Sequence, residues 1–372
     1  MMILLRVVVT ITGGLFVLAV SLSAVRTVVL PRSSSTRITR TLFVWMRKLF
    51  ELRLKGSKTT YETRDRVMAL YAPLTLVLLP GVWLVGVILG FTAIFWGLEG
   101  HSVRDAIIIS GSSITTLGFA APTGGPSDTA AVFEAGIGLG LVALLISYLP
   151  AIYGAFQRRD LLVAMLTVRA GDPPTAVKMI IRHHAIGWLD RSDELFAEWE
   201  QWFADIEETH TSQASLLFFR SPLPGRSWIT ADGAILDGAA LELSVVDAVR
   251  NPQAQLCIRS GFLSLRRIAD QFAIPHDPDP LPTDPISIHR SEFDDAVEQL
   301  RAAGVPVRSD LEQAWVDFAG WRVNYDRVLV SLAGLAMAPY APWSSDRSIP
   351  VRVTGRRNAN WTSQPNPKSK EW

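Results

Sequence analysis

Between residues 67 and 98 the chain carries no Asp, Glu, Lys, Arg or His. A helix on the surface of a soluble protein needs a polar face, and this stretch has none. A bilayer core of about 30 Å is crossed by roughly 20 helical residues. Residues 67–98 exceed that need, so the span is expected to tilt or to run beyond the hydrocarbon. Pro73 and Pro80 lie inside it and are expected to kink it. Two other segments meet the same criterion. Residues 7–25 are uncharged, and residues 130–156 carry Glu134 alone near one end. The sequence therefore reads as an all-α membrane protein with three spans.

Charge placement sets the expected direction. Residues 31–66 hold ten Lys/Arg against three acids, and loops rich in Lys and Arg stay on the cytoplasmic side. That excess also argues against reading residues 7–25 as a cleaved signal peptide, although Ser-Leu-Ser-Ala at 21–24 offers small residues at a cleavage-like position. The expected topology is multi-pass in the cell membrane. The N-terminus lies outside, span two runs outward, span three returns, and the C-terminal half is cytoplasmic. Gln157-Arg158-Arg159 anchors the inner end of span three. The expected units are a transmembrane helix over 1–30, a basic cytoplasmic linker over 31–66, a membrane module over 67–157, a helical cytosolic domain over 158–343 and a disordered tail over 344–372.

Within the linker, Ile38, Leu42, Trp45, Leu49 and Leu52 recur at helical spacing among Arg40, Arg47, Lys48 and Lys55. A basic amphipathic helix beside a span is expected to lie in the lipid interface. A helix packed on the cytosolic domain is the other reading.

The segment 101–128 is too short and too mixed to be a fourth span, yet it holds Ala-Ile-Ile-Ile at 106–109. Ser102-Val-Arg-Asp105 has the form of a capping box with Asp in place of Glu, so a short helix is expected over 102–113. Such a helix enters the bilayer and returns as loop only where protein or water covers its backbone.

The stretch Asp105-Ala-Ile-Ile-Ile-Ser-Gly-Ser-Ser-Ile-Thr-Thr-Leu-Gly-Phe119 resembles the pore helix and selectivity filter of the potassium-channel family. Residues 133–147 are similar to that family's inner helix, and the resemblance covers about residues 67–157. It implies an outer helix over 67–98, a pore helix over 102–113 with Asp105, Ser110 and Ser113, a filter at 115–120 and an inner helix over 130–156. The filter would comprise Thr115, Thr116, Leu117, Gly118, Phe119 and Ala120, with backbone carbonyls from four chains replacing the water around a cation. Gly118 would adopt a left-handed conformation. Leu117 and Phe119 would wedge against the pore helices. Gly136, Gly138, Gly140 and Pro150 would serve as a gating hinge, with close packing through small residues as the alternative for the glycines. Glu134 would brace the filter or attract cations, or else lie as an interfacial carboxylate. Glu99 reads as a solvated helix end. One chain supplies one loop, so a closed ring needs a homotetramer. The sequence departs from the family at Ala120, where a second glycine is expected and a left-handed non-glycine residue would be strained, and at Ala121, where an Asp is expected. These departures reduce the expected potassium selectivity.

Residues 158–343 return to soluble composition, with helical patterns at 159–169, 174–184, 192–209, 239–249, 253–272, 291–303 and 310–338. Trp188, Trp199 and Trp202 read as core, and Cys257 as a small buried residue. His183-His184 diverge on a helix and have no ligand partner at metal spacing. No catalytic, metal or cofactor constellation emerges, and a net charge of +1 gives no argument for nucleic acid. The expectations are a cation channel passing potassium or another monovalent ion, with itself, lipid and an unidentified cytosolic ligand as partners. The alternative is a non-conducting anchor that presents the helical domain. An enzyme is not expected.

Overall fold

The computed structural model describes residues 1–29, 36–54, 61–100, 102–248 and 251–347. Lys55, most of the expected tail and part of the basic linker lie outside the described residues. Every regular element among them is a helix. The one strand-like feature there is an isolated antiparallel bridge between Val246 and Val307.

Among the described residues three helical stretches are long and apolar enough to cross a membrane: α1 (Met2–Val28), α3 (Tyr61–Ala69) continued by α4 (Tyr71–Glu99), and α6 (Pro126–Ala170). Pro80 is carried inside α4, whereas Pro73 sits in its first turn, just after the break at Leu70 that separates α3 from α4. Proline has no N–H to donate to the carbonyl four residues back, which favours an interruption there.

α1 packs antiparallel along α4. Thr10 faces Gly97, Gly13 and Val17 face Gly90, and Val20 faces Gly86. A Cβ added at Gly13 would lie 2.7 Å from the Gly90 carbonyl. Helices in lipid gain little from apolar burial and associate through close van der Waals contact, which small residues permit. This glycine seam brings the N-terminal end of α1 to the C-terminal end of α4, where Arg6 lies over Gly100.

At the opposite end lies α2 (Arg37–Leu54). The expected apolar stripe is divided. Ile38 and Leu42 pack against the helices, whereas Trp45, Leu49 and Leu52 are exposed. The packed face is Leu42, Phe43, Met46 and Phe50, which meet Tyr71 and Phe218; the Tyr71 hydroxyl donates to the Phe43 carbonyl at 3.0 Å. α2 thus has one face on protein and a second apolar face bare, which a single 4,3 pattern could not separate.

α6 continues as one helix through the basic triplet at 157–159 to Ala170, well beyond the expected limit at 156. At 1.5 Å per residue it spans roughly 68 Å, about twice a bilayer core. Its last turns, with Val163, Leu166 and Ala170, belong to the core of the C-terminal domain. That domain comprises α7 (Ala176–Ala185), α8 (Ser192–Ser212), α9 (Trp228–Ser244), α10 (Pro252–Gln271), α11 (Arg290–Ala302), α12 (Leu311–Arg322) and α13 (Asp326–Ala336). α9 is its axis, buried along nearly its whole length. It begins eleven residues before the expected 239, because a helix buried on nearly every side, its Asp232 and Asp237 included, shows no polar face to read. The expected helix at 310–338 is two helices, broken between Arg322 and Asp326. Trp199 and Trp202 are core, Cys257 is buried, and Trp188 is 42% exposed. Residues 344–347, expected in the tail, pack on the domain. Ser344 is buried, and Arg347 pairs with Glu292 at 2.7 Å.

A buried polar network at Arg322 went unseen in the sequence. Arg322 Nη1 meets Asp237 Oδ1 at 2.5 Å and Arg322 Nε meets Asp326 Oδ1 at 2.8 Å. Arg322 Nη2 donates to the Trp343 carbonyl at 2.6 Å, and the Tyr325 hydroxyl donates to Asp237 at 2.9 Å. Burial works against the arginine's charge, but Asp237 and Asp326 outweigh it and raise its pKa. Asp232, one and a half turns before Asp237 on α9, is fully buried with neither oxygen bonded. Burial, and then the nearby Asp237, push its carboxyl well above the usual range.

Candidate functional site

The segment between α4 and α6 holds the chemistry the sequence singled out. α5 (Val103–Ile114) begins where expected: Ser102 Oγ accepts from the Asp105 amide at 3.2 Å and donates to Asp105 Oδ2 at 2.7 Å. Asp105 therefore closes the first turn of α5.

The contacts of α5 fix its depth. Ser110 Oγ lies 2.5 Å from Glu134 Oε1 and 3.2 Å from the Ile88 carbonyl. Ile88 is eleven residues before the end of α4, about 16 Å along its axis. One turn further, a Cβ on Gly138 would collide with the Ile114 carbonyl. Gly138 is twelve residues into α6, about 18 Å from its start. α5 therefore descends between α4 and α6, and the loop 115–125 climbs back to Pro126. Glu134 is fully buried against α5, which excludes the interfacial, snorkelling reading.

The loop hangs from the end of α5 by its amides. Thr116 N donates to the Ser113 carbonyl at 3.0 Å, Leu117 N to the Ser112 carbonyl at 3.0 Å, and Ala120 N to Ser112 Oγ at 3.0 Å. The Thr115 and Thr116 hydroxyls donate to the carbonyls of Gly111 (2.5 Å) and Thr115 (2.7 Å). Ser113 turns its own hydroxyl back to the Ile109 carbonyl at 2.9 Å. Among the described residues nothing donates to the carbonyls of Thr116, Leu117 or Gly118. At the loop's upper end the Thr123 amide donates to Glu99 Oε1 at 2.8 Å, so Glu99 ties down the loop instead of lying free in solvent.

Two expectations at the loop change. Gly118 is left-handed, with φ +69°, and so is Thr116, with φ +57°. Ala120 is not: it is half-buried with its amide on Ser112, so the strain expected at that position falls at Thr116. A left-handed non-glycine residue costs about 1–2 kcal/mol. Leu117 and Phe119 do not wedge against α5 of their own chain; each is 69% exposed.

On α6, Gly138 is the packing glycine. Gly136 and Gly140 face open space, and Pro150 is exposed within the unbroken helix. Val132, Phe133, Leu139, Val142 and Ile146 are also exposed, and only 17% of the apolar window of α6 is buried. Among the described residues no group of three His, Cys, Asp or Glu could hold a metal ion. Ser112 and the Glu99–Thr123 tie were not legible, since one serine among several and one acid at a helix end carry no pattern. No family model matches this chain, and comparison with characterised proteins and with solved structures finds no similar one.

Proposed function

We propose that four copies of the chain assemble into a cation channel, with the loops 115–120 converging on a shared axis. One observation carries this reading. A non-helical loop hangs from the end of α5 between the two long apolar helices α4 and α6, with its amides turned into the protein and, among the described residues, no donor on the carbonyls of Thr116, Leu117 and Gly118. Irregular backbone at membrane depth is stable only against protein or water. Copies of the same loop supply both, and a ring of backbone oxygens replaces a cation's hydration shell. The resemblance of residues 105–119 to a pore helix and filter points the same way. In this reading α4 is the outer helix, α5 the pore helix and α6 the inner helix. The bare faces of α6 and the exposed Leu117 and Phe119 meet neighbouring copies.

The excess of Lys and Arg over residues 31–66 supports placing α2 and the C-terminal domain on the cytoplasmic side. Trp45, Leu49 and Leu52 then rest in the lipid interface. Ala120 and Ala121 support a pore that discriminates weakly between potassium and sodium.

Single-channel recording of purified protein in planar bilayers tests the proposal. Gly118→Trp should abolish current while the tetramer persists on cross-linking. Unchanged current would remove the loop from the pathway. Silent wild-type tetramers, under changes of voltage, pH and divalent cations, would leave the protein a membrane anchor for its helical domain.

A further inference from the structure

The C-terminal domain meets the roots of the membrane helices around a cavity of about 20 Å³, room for one water-sized body. Its lining includes Asp65 in the middle of α3, Arg159 on α6, Arg220, Ser221, Arg226 and Trp228. Arg159 lies 33 residues into α6, roughly 50 Å along it, so the cavity falls beyond a bilayer core that starts at the α5 end.

The charge around this cavity is unbalanced. Three guanidiniums stand against two carboxylates: Arg220 engages Asp65 while its Nη2 donates to the Ala336 carbonyl at 2.9 Å, and Arg159 pairs with Asp160. Arg159 is 1% exposed and spends its Nη groups on the carbonyls of Leu216 and Phe219 and on Asp160. Four buried side-chain atoms of the lining have no protein partner: Arg159 Nε, Ser221 Oγ, Arg226 Nε and Trp228 Nε1. Three of these are pure donors, and the serine can donate. The residues carrying three of them, Arg159, Trp228 and Ser221, are each more than nine-tenths buried. The N-terminus of α9, a 17-residue helix capped by Ser227, opens on the same space and adds partial positive charge. A water molecule must donate as well as accept, and this set offers almost only donors. An anion only accepts, and so suits a lining of donors.

We propose that this cavity binds a small monovalent anion of chloride size, which ties α3 and α6 to the start of α9. The site is independent of the pore reading, because none of its residues lies in the membrane-depth loop.

The test is thermal unfolding of the full-length protein in detergent at constant ionic strength, with chloride, bromide, phosphate or gluconate as the anion. A saturable rise in Tm of a few degrees with chloride and bromide over gluconate is expected. It should be lost in Arg226→Gln and reduced in Ser221→Ala, which keeps the test open should the arginine variant fail to fold. The same Tm in chloride and gluconate would mean that the donors hold only water, and would overturn the proposal. So would a chloride effect that survives both substitutions, or a response to phosphate alone.

Discussion

Ser110 on α5 and Glu134 on α6 meet through a 2.5 Å hydrogen bond in a fully buried setting. It is the direct polar link between the short helix and the helix that follows, at the depth where Ile88 of α4 closes the third side. Removing one member leaves the other buried without its partner, at a cost of about 1–3 kcal/mol. Ser110→Ala and Glu134→Ala should each lower the thermal stability of the assembly in detergent. The double variant should lose less than the sum, because the pair fails as a unit. Additive losses in a double-mutant cycle would show that the contact contributes no coupling.

Three glycines of α6, Gly136, Gly138 and Gly140, should respond differently. Gly138→Ala places a methyl group on the Ile114 backbone carbonyl, where a neighbour cannot yield without moving α5. Overpacking of this kind costs about 1–3 kcal/mol. Gly136→Ala and Gly140→Ala meet nothing in the chain and should be neutral or slightly stabilising, since alanine favours a helix by up to about 1 kcal/mol. Comparable losses at all three would point to a hinge or an inter-copy contact in place of this packing role.

Asp232 gives the C-terminal domain a pH dependence with a definite sign. Its carboxyl titrates higher when folded than when unfolded, so over the intervening pH range the folded state holds more protons. Stability from this group is full below the unfolded pKa of about 3.9 and is lost as pH rises through the folded value. Asp232→Asn removes the titration. It should raise stability at pH 7, by about 1.4 kcal/mol for every tenfold difference in proton affinity between the folded and unfolded chains, and flatten stability against pH. A steeper curve for the variant, from chemical unfolding at pH 5, 6, 7 and 8, would contradict this account.

Arg322 uses Nε, Nη1 and Nη2 on three separate acceptors. A lysine presents one compact ammonium and cannot reach all three. Arg322→Lys should therefore be strongly destabilising, and Arg322→Ala should cost about 3–5 kcal/mol by leaving Asp237 and Asp326 buried without their partner. Urea unfolding of the two variants against wild type reads this directly. A loss below about 1 kcal/mol for either would show that the network relaxes.

The long apolar helices were legible because a segment able to cross lipid must be long and apolar, and residues 67–98 carry no charge throughout. The start of α5 was legible because Ser102 and Asp105 form a local cap. Depth was not legible: it depends on Ser110 meeting Ile88 and Glu134, contacts between residues 22 and 24 apart in sequence. The seam of Gly13, Gly86, Gly90 and Gly97 passed unread because glycines in a membrane helix carry no partner label. The Arg322 network was invisible for a related reason, since Asp237 lies 85 residues away and charged residues usually mark a surface. α9 resisted for want of contrast, because a helix buried on all sides has no polar face to set its limits.

The unbroken course of α6 has a mechanical meaning. α6 is anchored in the C-terminal domain through Val163, Leu166 and Ala170 and runs about 68 Å to Pro126 without interruption, with Pro150 as the one interior residue that gives up a helix hydrogen bond. With α6 straight, a pivot of about 5° in the domain would move Gly138, about 48 Å from Ala170, by about 4 Å, wider than its fit against the Ile114 carbonyl tolerates. A tilt of the domain that leaves α6 straight at Pro150 therefore arrives at α5 as displacement.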